Sequence, residues 1–253
     1  MSTLESLRSL VANGVAKRFD LRAWSSTSAC DVGTSAVDRL EHVFSQARPD
    51  ALKLMVMESL QGTAQADADV SVYGETVVRP FLDFLTKRCR DLALERGKAR
   101  VGGDAATTGT LRFHDLGSGA GKSVLTAALC SHFSECRGIE LLPCLHAVAR
   151  CLVEDFHRDV APRDDGSTPR ASVELGDVFE NDSWLASDVV FCNCVTWDDV
   201  TMTRLAAMAE NMSPGSLFVT VLAPLESASF EVVAEDEIDF SWGTVEAIVH
   251  RRR

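Results

Sequence analysis

Residues 113–121 read Phe-His-Asp-Leu-Gly-Ser-Gly-Ala-Gly, and Ile139-Glu140 follows about twenty residues later. An apolar strand ends in an acid, Asp115, runs into a glycine turn and opens a helix. The chain returns as a second strand, roughly Glu135 to Ile139, with Glu140 at its tip. In α/β proteins this pattern grips an adenosine-containing ligand: the glycines let the backbone approach, and the second acid accepts from ribose hydroxyls. Spacing narrows the ligand further. Gly117, Gly119 and Gly121 follow G-x-G-x-G, whereas a dinucleotide fingerprint is G-x-G-x-x-G. A carboxylate just before the glycines also suits the ammonium of S-adenosylmethionine better than a pyrophosphate.

Two other readings of the loop compete with this one. Gly121-Lys122-Ser123 matches the end of a phosphate-binding loop, but that motif needs glycine at position 116, which is Leu116. A strand–turn–helix with no ligand is the second alternative, and the flanking acids count against it. Asp177, in Val173-Glu-Leu-Gly-Asp177, is placed to accept from the adenine amine, or else to cap a helix. Asp115, Glu140 and Asp177 thus end three consecutive strands on the edge where open α/β sheets bind ligands. The fourth strand ends Val190-Phe-Cys-Asn193-Cys-Val-Thr-Trp197. In a methyltransferase this tip meets the methyl group, where Asn193 can present its amide oxygen and Trp197 can wall an apolar channel; asparagine alone is more often a turn residue. Upstream, Tyr73-Gly-Glu75-Thr76 reads as a loop over the methionine portion of the ligand, or as a helix entrance.

Composition sets bounds on the rest. The 253 residues, 46% hydrophobic, suffice for one full-sized core. No apolar run approaches membrane-spanning length, and Met1 to Leu10 lacks a signal-peptide core. The eight cysteines are scattered without a C-x-x-C, and Cys192-Asn-Cys194 is too closely spaced for a zinc clip. They read as small buried residues in a reducing compartment. Acids and bases balance through residue 110, so the net charge of −12 belongs to the remainder. Between Ala171 and His250 stand fifteen acids and one base, Arg204. That face repels nucleic acid backbone and attracts basic protein, unless it serves only solubility.

Helical spacing marks Leu4 to Val15 and Leu52 to Leu60, and residues 61–71 read as a linker. Thr76 to Leu94 reads as a helix with Phe81, Phe84 and Leu85 inward, and residues 95–110 as a loop. Strands are expected at 111–115, 135–139, 172–175, 188–192 and 216–222, with helices near 121–132, 143–158 and 199–212. Ile238–Trp242 and Val245–Val249 read as two closing strands, a hairpin adding an antiparallel edge. The alternation implies a mostly parallel sheet with helices on both faces.

Tyr73-Gly-Glu-Thr76, Asp115-Leu-Gly-Ser-Gly119, Gly138-Ile-Glu140, Gly176-Asp177, Phe191-Cys-Asn193 and Ser241-Trp242 occur in that order. Together they resemble the motifs of the disruptor-of-telomeric-silencing family, the non-SET lysine methyltransferases of histone H3. The resemblance implies a class I, Rossmann-like fold with a seven-stranded, mostly parallel sheet. It implies an N-terminal helical subdomain with linker over residues 1–71 and a catalytic domain over 72–253. S-adenosylmethionine would lie against Tyr73, Glu75, Thr76, Asp115, Gly117, Gly119, Gly121, Lys122, Glu140, Asp177, Val178 and Asn193. Asn193, Trp197 and Trp242 would form the catalytic centre and its channel. The substrate implied is a lysine on the globular core of histone H3 within nucleosomes, and the compartment is the nucleus. Departures are Cys194 for a second asparagine, Val178 for an aromatic residue, Lys122 for glutamine, and no counterpart for a later channel tyrosine. Residues 87–100, with six bases and two acids, are a candidate contact to DNA phosphates, or a solvated helix end. Alternatives to histone methylation are a methyltransferase of another protein or a small molecule, and a cofactor-binding module without catalysis.

Overall fold

The computed structural model describes residues 35–47, 49–60, 74–93, 111–160 and 170–253. The expectations for Leu4 to Val15, for the 61–71 linker, for Tyr73 and for residues 94–110 fall outside the described residues. Helices α1 (Ala36–Gln46), α2 (Pro49–Leu60) and α3 (Val78–Phe84) precede the sheet. Then follow β1 (Leu111–Leu116), α4 (Lys122–Ala127), β2 (Phe133–Glu140), α5 (Pro143–Asp155) and β3 (Arg170–Leu175). The last part is β4 (Val189–Cys192), α6 (Asp199–Ala209), β5 (Leu217–Val221), β6 (Phe230–Phe240) and β7 (Gly243–Arg252).

The seven strands form one sheet in the order β3-β2-β1-β4-β5-β7-β6. The first five run parallel, and β7 is antiparallel to both β5 and β6. This is a Rossmann-like, doubly wound sheet. From β1 the chain winds outward through β2 and β3, then returns to β4 on the other side. The crevice beyond the carboxyl ends of β1 and β4 is therefore the topological switch point, where such sheets bind ligands.

Strand period explains the layers. In β4, Val189 and Phe191 face one core while Val190 and Cys192 face the other. The first core joins Phe113, Phe133, Phe191 and Val219 to α1, α2, α3 and α5, so the N-terminal helices share it with the sheet. The second lies under α6 and the short 3₁₀ turn carrying the fully buried Trp184. Helix α1 starts at a capping box: Ser35 Oγ accepts from Asp38 N at 3.2 Å, and Asp38 Oδ2 accepts from Ser35 N at 3.1 Å. Phe81, Phe84 and Leu85 are buried as the helical period predicts, and α3 continues through a π-helical turn, Leu85–Cys89.

Three elements differ from their sequence expectation. Helix α4 ends at Ala127 rather than near 132, because the chain turns there to enter β2. Strand β6 covers Phe230–Phe240 rather than 238–242; Glu231, Glu235, Asp236 and Glu237 mask its alternation. The reversed strand is also not the edge. Buried Ala247, Ile248, Val249 and His250 suit β7 to an interior position, while the acids of β6 suit an edge that resists further pairing.

Candidate active site

The glycine loop hangs between β1 and α4. Gly117 N and Ser118 N both donate to the Ile139 carbonyl at 2.9 Å, clamping the loop onto β2. Gly117, Gly119 and Gly121 have φ of 78°, 56° and 83°, the left-handed region where a side chain is strained. Gly138 in β2 completes the fit, since a Cβ there would lie 2.5 Å from Ser118 Cβ.

Under this loop sit two carboxylates. Asp115, 2% exposed, accepts from the Ser123 hydroxyl in the first turn of α4. Burial pushes its carboxyl up to about 7, the Ser123 bond opposes this, and the nearby Glu140 charge adds to it. Glu140 accepts from Gly119 N and from Leu142 N, each at 2.7 Å. Burial raises its pKa, and those backbone donors oppose the rise. Past β3, Asp177 Oδ1 accepts from Phe179 N at 2.9 Å, which closes a turn rather than capping a helix. Trp184 Nε1 donates to the Val178 carbonyl at 3.0 Å and fixes that turn to the second core.

A strap, Gly74 to Thr76, crosses from the N-terminal side. Thr76 bridges Phe240, Ser241 N donates to Glu75 O at 2.8 Å, and Val77 N donates to Asp239 O at 2.8 Å. The strap thus extends the end of β6. Glu75 Oε2 pairs with Lys122 Nζ at 3.0 Å, and that ammonium lies 4.9 Å above the Phe44 ring. One half-buried cation therefore ties together α1, the strap and α4.

These elements enclose a cavity of about 630 Å³. Glu75, Thr76, Asp115, Gly117, Gly119, Lys122, Glu140, Asp177, Val178, Asn193 and Trp197, all named from the sequence, line it. Two do not. Gly121 caps α4 from below the loop, and Trp242 occupies the β6–β7 turn, 41% exposed, stacked 5.5 Å from Phe240. Phe240 takes the lining position instead, because β6 ends two residues before Trp242. Sequence reasoning also missed Ser118, Ser123 and Phe179. Position 123 falls in the first helical turn facing Asp115, a signal that helical geometry could have supplied. Phe179 carries none; its ring lies 6.0 Å from Trp197 and 4.2 Å below Arg204 only in the folded chain.

Asn193 lies just beyond β4. Its Oδ1 is buried and has no hydrogen-bond partner among the described residues. In the basic stretch, Lys87 pairs with Asp83 at 2.8 Å and Arg88 with Asp236 at 2.7 Å, while residues 94–100 lie outside the described residues. No helix among the described residues is long and apolar enough to cross a membrane.

The strand order with β7 reversed, and a carboxylate near or just past the end of each of three successive strands, define a class I methyltransferase fold. The sequence model of the family described as histone methylation protein DOT1 matches residues 105–241, more than half of the chain. The chain belongs to that family. Comparison with curated proteins finds no significant match. Among solved structures, an RNA methyltransferase from Salinibacter ruber in complex with S-adenosyl-L-homocysteine is 24% identical, with 64% of this chain and 90% of that one covered and a TM-score of 0.42. Magnesium protoporphyrin IX methyltransferase from Synechocystis PCC 6803 with bound SAM is 13% identical, with 80% and 97% covered and a TM-score of 0.46.

Proposed function

We propose that this chain is an S-adenosylmethionine-dependent lysine methyltransferase acting on the globular core of histone H3 in nucleosomes, in the nucleus. The observation that carries the reading is the unpartnered Asn193 Oδ1, buried at the switch point in the same cavity as Asp115, Glu140 and Asp177. A buried carbonyl oxygen without a donor costs on the order of 1–3 kcal/mol, and a bound ligand with an N–H relieves it. The donor set fits S-adenosylmethionine: acids for an ammonium and a ribose, an acceptor for an adenine amine, and glycines for close approach. When bound, that cofactor supplies a methyl group on a sulfonium.

The chain's own residues orient and desolvate. Asp115 and Glu75 hold an amino group, Lys122 faces a carboxylate, Glu140 accepts from ribose hydroxyls, and Asp177 accepts from adenine beside Val178. Gly117, Gly119 and Gly121 shape the loop, with Thr76 closing the strap and Tyr73 preceding it. Asn193 orients the incoming amine without fixing it as an ammonium, as a carboxylate would. Trp197 and Phe240, with Trp242 behind Phe240, exclude water from the channel. An apolar channel disfavours the charged lysine and lowers its pKa, so no dedicated base is needed. Holding the two reactants in line supplies much of the rate. The family membership supports the histone substrate, and the acids between Ala171 and His250 suit a basic partner.

Incubation with labelled cofactor and nucleosomes, free histone H3 or a neutral carrier protein tests the reading, with mass spectrometry of the modified lysine. Asn193→Ala should lower transfer about 100-fold or more on every substrate while leaving the melting curve in place. Transfer by Asn193→Ala at the parent rate would overturn the active-site assignment. Equal modification of the neutral carrier would overturn the substrate.

A further inference from the structure

Between Ala171 and His250 the chain carries fifteen acids and a single base, the exposed Arg204 on α6. Its neighbours one helical turn away, Val200, Thr201, Ala207 and Met208, are uncharged, so the helix offers it no ion pair. Among the described residues no hydrogen bond or ion pair reaches its guanidinium. It lies over the Phe179 ring instead, 4.2 Å from the centroid. That ring lines the cavity and also meets Trp197 at 6.0 Å. The same residue's backbone N–H donates to Asp177 Oδ1 at 2.9 Å, which leaves Oδ2 to a ligand.

We propose that Arg204 is a positioning residue: it clamps the Phe179 ring, steadies the turn that aims Asp177 into the cavity, and so sets the preference of the site for an aminopurine over an oxopurine. The inference rests on the proposed function, in which Asp177 accepts from the adenine amine.

The clamp is built from the start of the helix. Asp198 Oδ1 accepts from Thr201 N at 2.8 Å and caps α6. Thr201 lines the cavity, and Arg204, three residues on, shares its face of the helix. A guanidinium is planar and weakly hydrated, so it covers a ring face while its edge N–H groups stay in water. The turn from Asp177 to Phe179 then has two anchors. Trp184 Nε1 holds the Val178 carbonyl from the second core, and Arg204 holds the Phe179 ring from the solvent side. Rigidity here matters more for selectivity than for affinity. Adenine presents its exocyclic amine to the carboxylate, whereas hypoxanthine presents a carbonyl oxygen there and carries its donor, N1–H, beside it. A fixed Asp177 is repelled by that oxygen, and a loose one shifts to the N1–H and accepts from it.

Calorimetry on the full chain with S-adenosyl-L-homocysteine and S-inosyl-L-homocysteine tests this, with urea midpoints confirming that each variant is folded. The parent should prefer the adenosyl compound about tenfold or more, and Asp177→Ala should erase that preference. Arg204→Ala should weaken the adenosyl compound about threefold to fivefold and leave the inosyl compound within about twofold, so the ratio shrinks. Phe179→Leu removes the ring that the clamp holds, and adding Arg204→Ala to it should change neither affinity further, as a double-mutant cycle reads. An unchanged ratio in Arg204→Ala, or equal weakening of both compounds, overturns the positioning role. An Arg204→Ala effect that persists undiminished in the Phe179→Leu background overturns the route through the ring. A parent that binds neither compound, or does not distinguish them, sinks the adenine assignment of the proposed function and this inference with it. A parent that prefers the adenosyl compound, with that preference intact in Arg204→Ala, sinks the role of Arg204 alone.

Discussion

Burial under the glycine loop lifts the Asp115 carboxyl from 3.8 to about 7, although Ser123 donates to it. Between those values the folded, ligand-free protein holds a proton that the unfolded chain has released. Its stability therefore falls as pH rises through that window, and the full penalty is present above about 7. Asp115→Asn should be more stable than the parent by roughly 1–4 kcal/mol at pH 8 and equal to it near pH 4, measured by urea unfolding. A ligand ammonium demands the carboxylate form. Binding of S-adenosylmethionine at pH 6 should release close to one proton, and affinity should weaken about tenfold for each pH unit below 7. Calorimetry in two buffers of unlike ionisation enthalpy measures the proton directly, and proton-neutral binding would remove Asp115 from the ammonium site. The identity of this acid was legible from its place before the glycines. Its protonation was not, because that depends first on how deeply the packed chain buries it, with Ser123 opposing the rise and Glu140 adding to it from other elements.

At the scale of elements, the site depends on two close approaches. β2 comes under the glycine loop at Gly138, where a Cβ would meet Ser118 Cβ at 2.5 Å and Val124 Cγ2 at 2.8 Å. Gly138→Ala should cost about 1–3 kcal/mol by overpacking and should displace the loop, so ligand affinity falls as well. Gly117→Ala meets nothing within 4 Å and carries only the left-handed strain at φ 78°, about 1–2 kcal/mol. Denaturant midpoints of the two variants compare steric against conformational cost. The strap makes the second approach. A Cβ on Gly74 would lie 2.0 Å from Trp242 Cδ1, so Gly74→Ala must move the ring or the strap. Ligand affinity should fall about tenfold in Gly74→Ala and recover in Gly74→Ala/Trp242→Ala, a coupling that a double-mutant cycle reads. Purely additive effects would show that Trp242 does not brace the strap.

Over the whole molecule, charge is the property that no single element carries. The net charge of −12 collects on exposed acids of the sheet half, among them Glu231, Glu235, Glu237 and Glu246 on β6 and β7. Long-range attraction between exposed charges is screened within about 10 Å at 0.1 M salt, whereas buried carboxylates feel salt far less. Association with free histone H3 should therefore weaken about tenfold or more between 50 and 300 mM salt, chiefly through the on-rate, while ligand affinity changes much less. Stopped-flow rates across that range test this. Glu235→Gln/Glu237→Gln/Glu246→Gln should flatten the slope, and an unchanged slope would return these acids to a role in solubility alone.

Sequence by itself determined the glycine loop, the acids near the ends of three strands, Asn193 and the alternation of strands with helices. These are local: each follows from the period of a strand or from a backbone conformation that only glycine tolerates cheaply. The same locality explains why Phe81, Phe84 and Leu85 could be placed inward without a structure. Tertiary structure alone decided the rest. It put β7 inside the sheet and β6 at the edge, and gave the cavity wall to Phe240 instead of Trp242. It paired Lys122 with Glu75 across 3.0 Å, and it left Asn193 Oδ1 buried without a hydrogen-bond partner among the described residues. Those facts depend on which segments meet and how deeply they are buried. Both are properties of the packed chain, because pairing register and desolvation have no counterpart in a segment taken alone.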